Sequence, residues 1–462
     1  MKHSVRLVSV VVILATLLSA CAPPAAQVVE KEVIVTQVVE QVVTQVVEKK
    51  VEVQVTAVPA VKLSMMCWNG MVATREIVEG TLIPGFQNQN PNITIKYEEM
   101  PWPEYWTSIA ARAAAGTMPD LYCNSVAYAW DHANKNMSAN LQPLIDRDLK
   151  ADDYFMEITP VNRYPDKNGD IYSFPIRWVD GTLFYNKKLF DEAGVAYPTN
   201  DWTYEDVLVA AKQLTKDTDN DGKTDQYGLM AGMNHIALDA YIKSNGGQVL
   251  NDSYSKCMLT EEKALAGIQW MSDLVLKHKV SPSPETVAGF AVGMFQSGKL
   301  AMQIDGSYMT KNYTEIKDFE WDVAMQPQGA EGRVIYGGPD QLAISKTSDH
   351  PEEAWAMLKY IIGPEQQGSG DMIGLGSMPF LKSAAASESW IKAVGQPGNA
   401  QSFADSFKYI QGADFGSQWM EWRIAAMNSE LDQVVLGTRS VEESAAAACT
   451  AIDAILAKIA KP

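Results

Sequence analysis

From Val61 onward, apolar and polar positions alternate between two periods. "VKLSMMCW" (61–68) is a strand-length apolar run, and the stretch from Ala73 to about Phe86 has helical spacing. "PNITIKYEEM" (91–100) alternates as a half-buried strand does, and "WPEYWTSIAARAAAGTMPDLYCNSV" (102–126) predicts a helix ended at Gly116 and then a third strand. A second set follows. "GTLFYNKKLFDEAGV" (181–195) is a strand and a short helix ended at Gly194; "DWTYEDVLVAAKQLTK" (201–216) is a helix with Thr203 as N-cap and Asp206 at its third position. "GFAVGMFQSGKLAMQIDGSY" (289–308) adds a helix, a turn and the strand "LAMQID", and "DHPEEAWAMLKYIIG" (349–363) a helix with Pro351 near its start. Strands alternating with helices predict parallel βαβ units, so the class is α/β. Ligands of such sheets sit beyond the carboxyl ends of strands at a switch point, which directs attention to "WNG" (68–70) and "NSVAYAW" (124–130).

The first sixty residues follow another pattern. Lys2 and Arg6 precede an apolar run from Leu7 to Leu18, too short for a permanent bilayer span, and small residues lead to Cys21 in "LSAC". That ending resembles a bacterial lipobox, which implies a signal peptide over 1–20, cleavage before Cys21 and lipid on its sulfur. Residues 28–57 contain "QVVE", "QVVT" and "QVVE" in succession and read as a stalk within a valine-rich tether, 21–60; self-association through the valines is the second reading.

A chain of 462 residues that is 47% hydrophobic is large enough for two lobes with separate cores. Its net charge of −18, spread along the chain, argues against nucleic acid and against a strongly anionic ligand. Loss of Lys2 and Arg6 on cleavage makes the mature chain more acidic still. Besides Cys21 there are Cys67, Cys123, Cys257 and Cys449, with no zinc-ligand spacing; in an exported protein they allow three complete disulfide pairings.

"KDTDNDGKTDQYG" (216–228) matches a calcium loop at Asp217, Asp219, Asp221 and Asp225, with the Lys223 carbonyl as a further ligand. The twelfth position is Gly228, without a carboxylate, and no second helix follows. The expectation is therefore a structural calcium ion in a surface turn, with a plain acidic turn as the alternative, and not an EF-hand sensor.

Six ordered segments carry a family resemblance: "GTMPDLYCNS", "GDIYSFPIRWVDGTLFYNKKLFDEAGV", "WTYEDVLVAAKQLTKDTDNDGKTDQYG", "MFQSGKLAMQIDGSY", "GGPDQLAISKTSDHPEEAWAMLKYI" and "GLGSMPF". The chain resembles the sugar-binding type of bacterial extracellular solute-binding proteins, relatives of maltose-binding protein. The resemblance implies a periplasmic-binding-protein fold of type II, two α/β lobes joined by crossing strands with the ligand cleft between them. It places the crossings near Phe174–Trp178 and Ile335–Asp340, lobe one at 61–176 and 340–375, and lobe two at 177–339 and 376–462. It implies no enzymatic activity, a sugar or oligosaccharide ligand, and delivery to the membrane permease subunits of an ABC transporter. Some relatives complete a calcium loop of this kind with a carboxylate where this chain has Gln226.

A sugar offers hydroxyls at its rim and C–H patches on its faces, so aromatic platforms with short carboxylates and amides are sought near strand ends. Trp68 and Asn69 follow the first strand; Asn124, Tyr128 and Trp130 follow the third; Trp178, Asp180 and Gly338 lie at the crossings. Asp305 and Tyr308 end "LAMQIDGSY", where the family often has tryptophan, and Trp419 with Arg423 lies in a segment similar to the family's late platform helix. Asp120 is a candidate for a turn as much as for a contact, and Trp270, Trp321 and Trp355 read as core. If the strand order is 2-1-3, Cys67 and Cys123 end neighbouring strands and could pair beside the cleft. Alternatives are the same fold with a polyamine, peptide or glycerophosphodiester ligand, or a glycosidase. The latter needs two carboxyls about 5–10 Å apart, for which Asp180 and Asp305 are the one nominee.

Overall fold

Parallel pairing begins at Val61. Strand β1 (Val61–Trp68) lies between β2 (Ile93–Met100) and β3 (Leu121–Ser125), parallel to both. The helix Trp102–Ala115 joins β2 to β3 and ends at Gly116, whose φ of 67° turns the chain as a C-terminal glycine does. The computed structural model describes residues 59–156, 162–166, 168–290, 293–369, 377–387, 390, 392, 398–412 and 418–458. The expected signal peptide, Cys21 and the expected tether up to residue 58 lie outside the described residues. Among the described residues no helix is long and apolar enough to cross a membrane.

A two-stranded ladder, β4 (Arg163–Tyr164) with β5 (Asp170–Ile171), precedes the long β6 (Phe174–Asn186). Then come β7 (Tyr227–Met230), β8 (Leu300–Gly306), β9 (Trp321–Met325), β10 (Ile335–Ile344) and the short β11 (Met378–Pro379) and β12 (Ile410–Gly412). The main order is β2-β1-β3-β10-β6-β8-β7. β6 serves two bodies: Phe174 to Asp180 pair antiparallel with β10, and from Gly181 on it pairs with β8 and β9. β10 does likewise, meeting β3 over Asp340–Ile344 and β12 over Ile335–Gly337. The change of partner on β6 thus falls at Asp180 and Gly181, a few residues beyond the Phe174–Trp178 read from the sequence. All of β6 except Val179 is buried, since both faces are covered.

Separate apolar clusters form on the two sides of this crossing. One gathers Leu63, Tyr105, Trp106, Trp355 and Leu358; on the other side lie Leu183, Val207 and Ile268 in one cluster and Phe184, Phe295 and Trp321 in another. Trp355 and Trp321 are core, as their spacing implied, and Trp270 stacks on Tyr241 with ring centroids 4.2 Å apart. Phe380 and Leu381 pack in the first cluster, past the residue 375 at which the sequence reading ended lobe one. The Gln367 side chain explains this: it donates to the Ile176 carbonyl and accepts from the Phe380 N–H, tying that return to β6.

Local signals held where a side chain closes its own turn. Thr203 and Asp206 form a reciprocal capping box on the helix Tyr204–Leu214. Asp120 fixes a turn, accepting from Ser64 N–H, Ser64 Oγ and Ser348 Oγ. Disulfides join Cys67 to Cys123 on adjacent strands and Cys257 to Cys449 across a separation of 192 residues. The second closes a long loop onto the helix Val441–Leu456, a pairing the spacing left open.

Candidate functional site

A cavity of about 860 Å³ lies where β6 and β10 cross. Several elements end on it. Trp68, Asn69 and Gly70 arrive from the end of β1; Ser125, Val126 and Ala127 from the end of β3, where the Ser125 hydroxyl caps the helix Val126–Asn134. His235 and Ile236 begin the helical segment capped by Asn234. Gly306 and Tyr308 come from the end of β8, and Trp419 opens the late helix.

The walls are aromatic. Trp68 packs edge-on against Trp102 with centroids 4.8 Å apart, and Trp102 is 40% exposed. On another wall Tyr308, 44% exposed, lies against Gly306 so closely that a Cβ there would stand 2.0 Å from Tyr308 Cε1. Its hydroxyl donates to Asp305 Oδ1 at 3.2 Å, while the two Asp305 oxygens also accept from Gln303 Nε2 and Gly306 N–H. The third wall is Trp419, edge-on to His235 at 5.0 Å, with Tyr336 5.1 Å from the same imidazole. Burial pushes His235 down to about 3, so the ring is neutral at ordinary pH.

Charged groups enter along the crossing strands. Arg177 and Asp340 are register partners on β6 and β10 and form an ion pair, with Nη2 2.7 Å from Oδ2. Asp180 is buried; its Oδ2 accepts from the Ser406 hydroxyl, and among the described residues its Oδ1 has no partner. Burial pushes this carboxyl up to about 7, against the pull of the Ser406 hydroxyl; Ser307 Oγ nearby accepts from the Asp180 N–H.

Trp68, Asn69, Asp180, Tyr308, Gly338 and Trp419, six of the residues singled out in the sequence, line the cavity. The other six stand behind its wall. Trp178 is fully buried among apolar side chains beside Phe407. Asn124 is fully buried one residue short of the cavity, its Oδ1 accepting from the Ser125 N–H while its Nδ2 finds no partner among the described residues. Tyr128 stacks on Trp106 at 3.8 Å, and Trp130 meets Tyr164 edge-on. Asp305 supports Tyr308, as above. Arg423 is wholly buried in a fork with Asp239, donating also to the Met233 carbonyl and Asn428; the guanidinium ties the Trp419 helix to the His235 segment.

Sequence reasoning missed Trp102, Arg177, His235, Tyr336 and Asp340. Trp102 follows a strand end, the criterion applied to β1 and β3 but not to β2. Arg177 and Asp340 were visible as charges inside otherwise apolar strand runs, where a buried charge demands a partner.

The aspartate loop lies apart. Carboxylate oxygens of Asp217, Asp219 and Asp225 come within 4.8 Å of one another, so the residues present fit a hard cation. Asp221 is outside that group; its Oδ1 accepts from Lys223 N–H, and Lys223 Nζ lies 3.9 Å from its Oδ2. Backbone N–H groups of Asp221 and Gly222 already reach Asp217, and Thr218 donates twice to Asp225. Gly228 sits against the helix Tyr204–Leu214, where a Cβ would stand 2.1 Å from the Ala211 carbonyl oxygen, so no side chain can serve as the twelfth ligand.

The sequence pattern of the family described as bacterial extracellular solute-binding protein matches residues 69–368, well over half of the chain. The chain belongs to this family. A binding protein of Brucella abortus (strain 2308) is 26% identical over 283 residues, 60% of this solute-binding protein and 66% of the relative, so the chain spans just under two thirds of that relative's length. An arabinooligosaccharide-binding protein of Halalkalibacterium halodurans is 24% identical over 238 residues, 48% of each chain. Among solved structures, an ABC substrate-binding protein of Listeria monocytogenes in complex with cycloalternan matches with TM-score 0.76 at 21% identity, covering 86% of this chain and 99% of its own. The maltose-bound MalE3 of T. maritima matches with TM-score 0.70 at 21% identity, covering 86% and 100%. These likenesses give the fold: two α/β lobes of the type II periplasmic-binding kind.

Proposed function

We propose that this protein captures a sugar or oligosaccharide in the cavity between its lobes and delivers it to the permease subunits of an ABC transporter. The observation that carries the reading is the cavity itself: Trp68, Trp102, Tyr308 and Trp419 offer ring faces and edges, and short polar groups stand between them. Such a lining suits a ligand with C–H faces and a hydroxyl rim. Trp68, Asn69, Asp180, Tyr308, Gly338 and Trp419 are its proposed contacts. Export, a signal peptide over 1–20 and a lipid on Cys21 belong to the same proposal, as do lobes meeting at the crossing strands. A calcium ion held by Asp217, Asp219 and Asp225 is a separate structural proposal.

Tryptophan fluorescence of the purified protein, titrated against a panel of sugars, tests the reading. Saturable quenching without release of shorter products is expected. Turnover of a glycan would turn the reading towards a glycosidase, and binding of polyamines or peptides in place of any sugar would replace the ligand class.

A further inference from the structure

The polar groups on the crossing strands restrict which sugars can enter, and the following rests on the sugar-binding reading. Arg177 is the one guanidinium on the cavity wall among the described residues, and it is committed: Nε and Nη2 both reach Asp340 Oδ2, at 2.8 and 2.7 Å, and Nη1 donates to the Gly70 carbonyl at 3.4 Å. The pair is nearly dry, with side chains 9% and 13% exposed. Among the described residues no hydrogen bond reaches Asp340 Oδ1, and Asp180 Oδ1, fully buried on the same strands, has no partner either. Lys311 also lines the cavity, over Gly70, as a second cation set apart from the Arg177–Asp340 pair, so any exclusion of anions is local to the crossing strands. The crossing strands therefore present one open acceptor, Asp340 Oδ1, beside a guanidinium already neutralised, while Asp180 Oδ1 lies buried behind them.

We propose that Asp340 is a specificity-determining residue: by occupying Arg177 and offering Oδ1 as an acceptor, it selects an uncharged, hydroxyl-donating oligosaccharide and excludes one that carries a carboxylate. A uronate placed there would meet Asp340 across a few ångströms in a poorly solvated site and find no free guanidinium. A neutral sugar donates its hydroxyls instead. Discrimination built on an unfavourable juxtaposition is a common route to specificity.

The test titrates the full chain, by calorimetry, with neutral trisaccharides (maltotriose, arabinotriose) and with trigalacturonate, for wild type, Asp340→Asn and Asp340→Asn/Arg177→Met. Wild type is expected to prefer the best neutral sugar by about tenfold or more. Asp340→Asn frees the guanidinium for a bidentate carboxylate contact and should narrow or reverse that ratio by at least about tenfold. Adding Arg177→Met should abolish the gain, and because that double variant leaves no buried unpaired charge, it guards against misfolding as the cause. Trigalacturonate bound by wild type as tightly as the neutral sugars, or a ratio unmoved by Asp340→Asn, would overturn the proposal while leaving a sugar-binding protein. Binding of non-sugar solutes with no response to either sugar class would remove the functional reading on which it stands.

Discussion

The crossing strands and the aspartate loop use the same carboxylate in opposite surroundings. Asp180 and Asp340 line a cavity with little solvent around them, whereas Asp217 and Asp219 stand exposed at the surface. In the first place each charge must find a partner, stay protonated or wait for a ligand; in the second, water and the loop's own N–H groups satisfy it. The acidic motif that dominates the sequence is thus energetically mild, and the charges hidden in apolar strands are the costly ones.

The strongest way to test this contrast is to leave a buried charge alone. Arg423 and Asp239, 0% and 3% exposed, form a fork at 2.7 and 2.9 Å. Arg423→Met strands the Asp239 carboxylate and should cost about 3–5 kcal/mol of stability in chemical denaturation, with Arg423→Met/Asp239→Leu recovering much of the loss. A single variant as stable as wild type would mean that the buried charge is not held as described.

Asp180 gives the next largest effect, through pH. Its folded-state carboxyl is raised to about 7 by burial, while in the unfolded chain it stays near the ordinary aspartate value of 3.8. Between those values the folded state keeps a proton that the unfolded state has lost, so this group's contribution falls as pH rises through the window and is level above it. Asp180→Asn removes that slope. The variant should gain on wild type by on the order of 3 kcal/mol between pH 4 and 8, measured as the difference of two denaturation curves. A difference independent of pH would show that Asp180 titrates normally.

These two residues also show what could be read beforehand. The alternation of strands and helices and the cap at Thr203 were legible because each is set by local period or by a side chain closing its own turn, whereas the 2-1-3 order, a product of tertiary pairing, entered only as a condition. Trp178 and Arg423 were misplaced for a common reason. Sequence position puts both near strand or helix ends at the cleft, but whether a side chain faces the cavity or the core depends on strand pairing and on partners such as Asp239, 184 positions away. The register shift between Asp340 and Gln341, where β10 leaves the cavity wall, is likewise a product of two strands, and neither one encodes it alone.

A smaller effect is expected at the aromatic wall. Tyr308→Ala should weaken sugar binding by about 1–1.5 kcal/mol with little change in stability, the ring being 44% exposed. Gly306→Ala should act in the same direction without touching the ring's chemistry, because its Cβ displaces the platform. Trp102→Ala, on the Trp68 wall, tests whether the two exposed rings act together: losses that exceed the sum of the singles in the Tyr308 and Trp102 double variant would indicate one ligand spanning both. Full affinity in all three would move the ligand elsewhere.

The aspartate loop gives the smallest change. Three carboxylates without a twelfth-position ligand form a weak, open site, so calcium at ten times its dissociation constant should add about 1.4 kcal/mol and raise the melting temperature by only a degree or two. A chelator should reverse the shift, and Asp217→Asn/Asp219→Asn should remove it while raising the stability of the calcium-free protein, since the substitution relieves repulsion among carboxylates within 4.8 Å of one another. Identical melts with calcium and with chelator would make the loop a plain acidic turn. Sugar affinity should be unchanged in every one of these conditions, because none of the loop's residues reaches the cavity wall. A calcium-dependent sugar affinity would erase the separation between the two regions and require a path from the loop, through the helix Tyr204–Leu214 on which Gly228 rests, to the binding site.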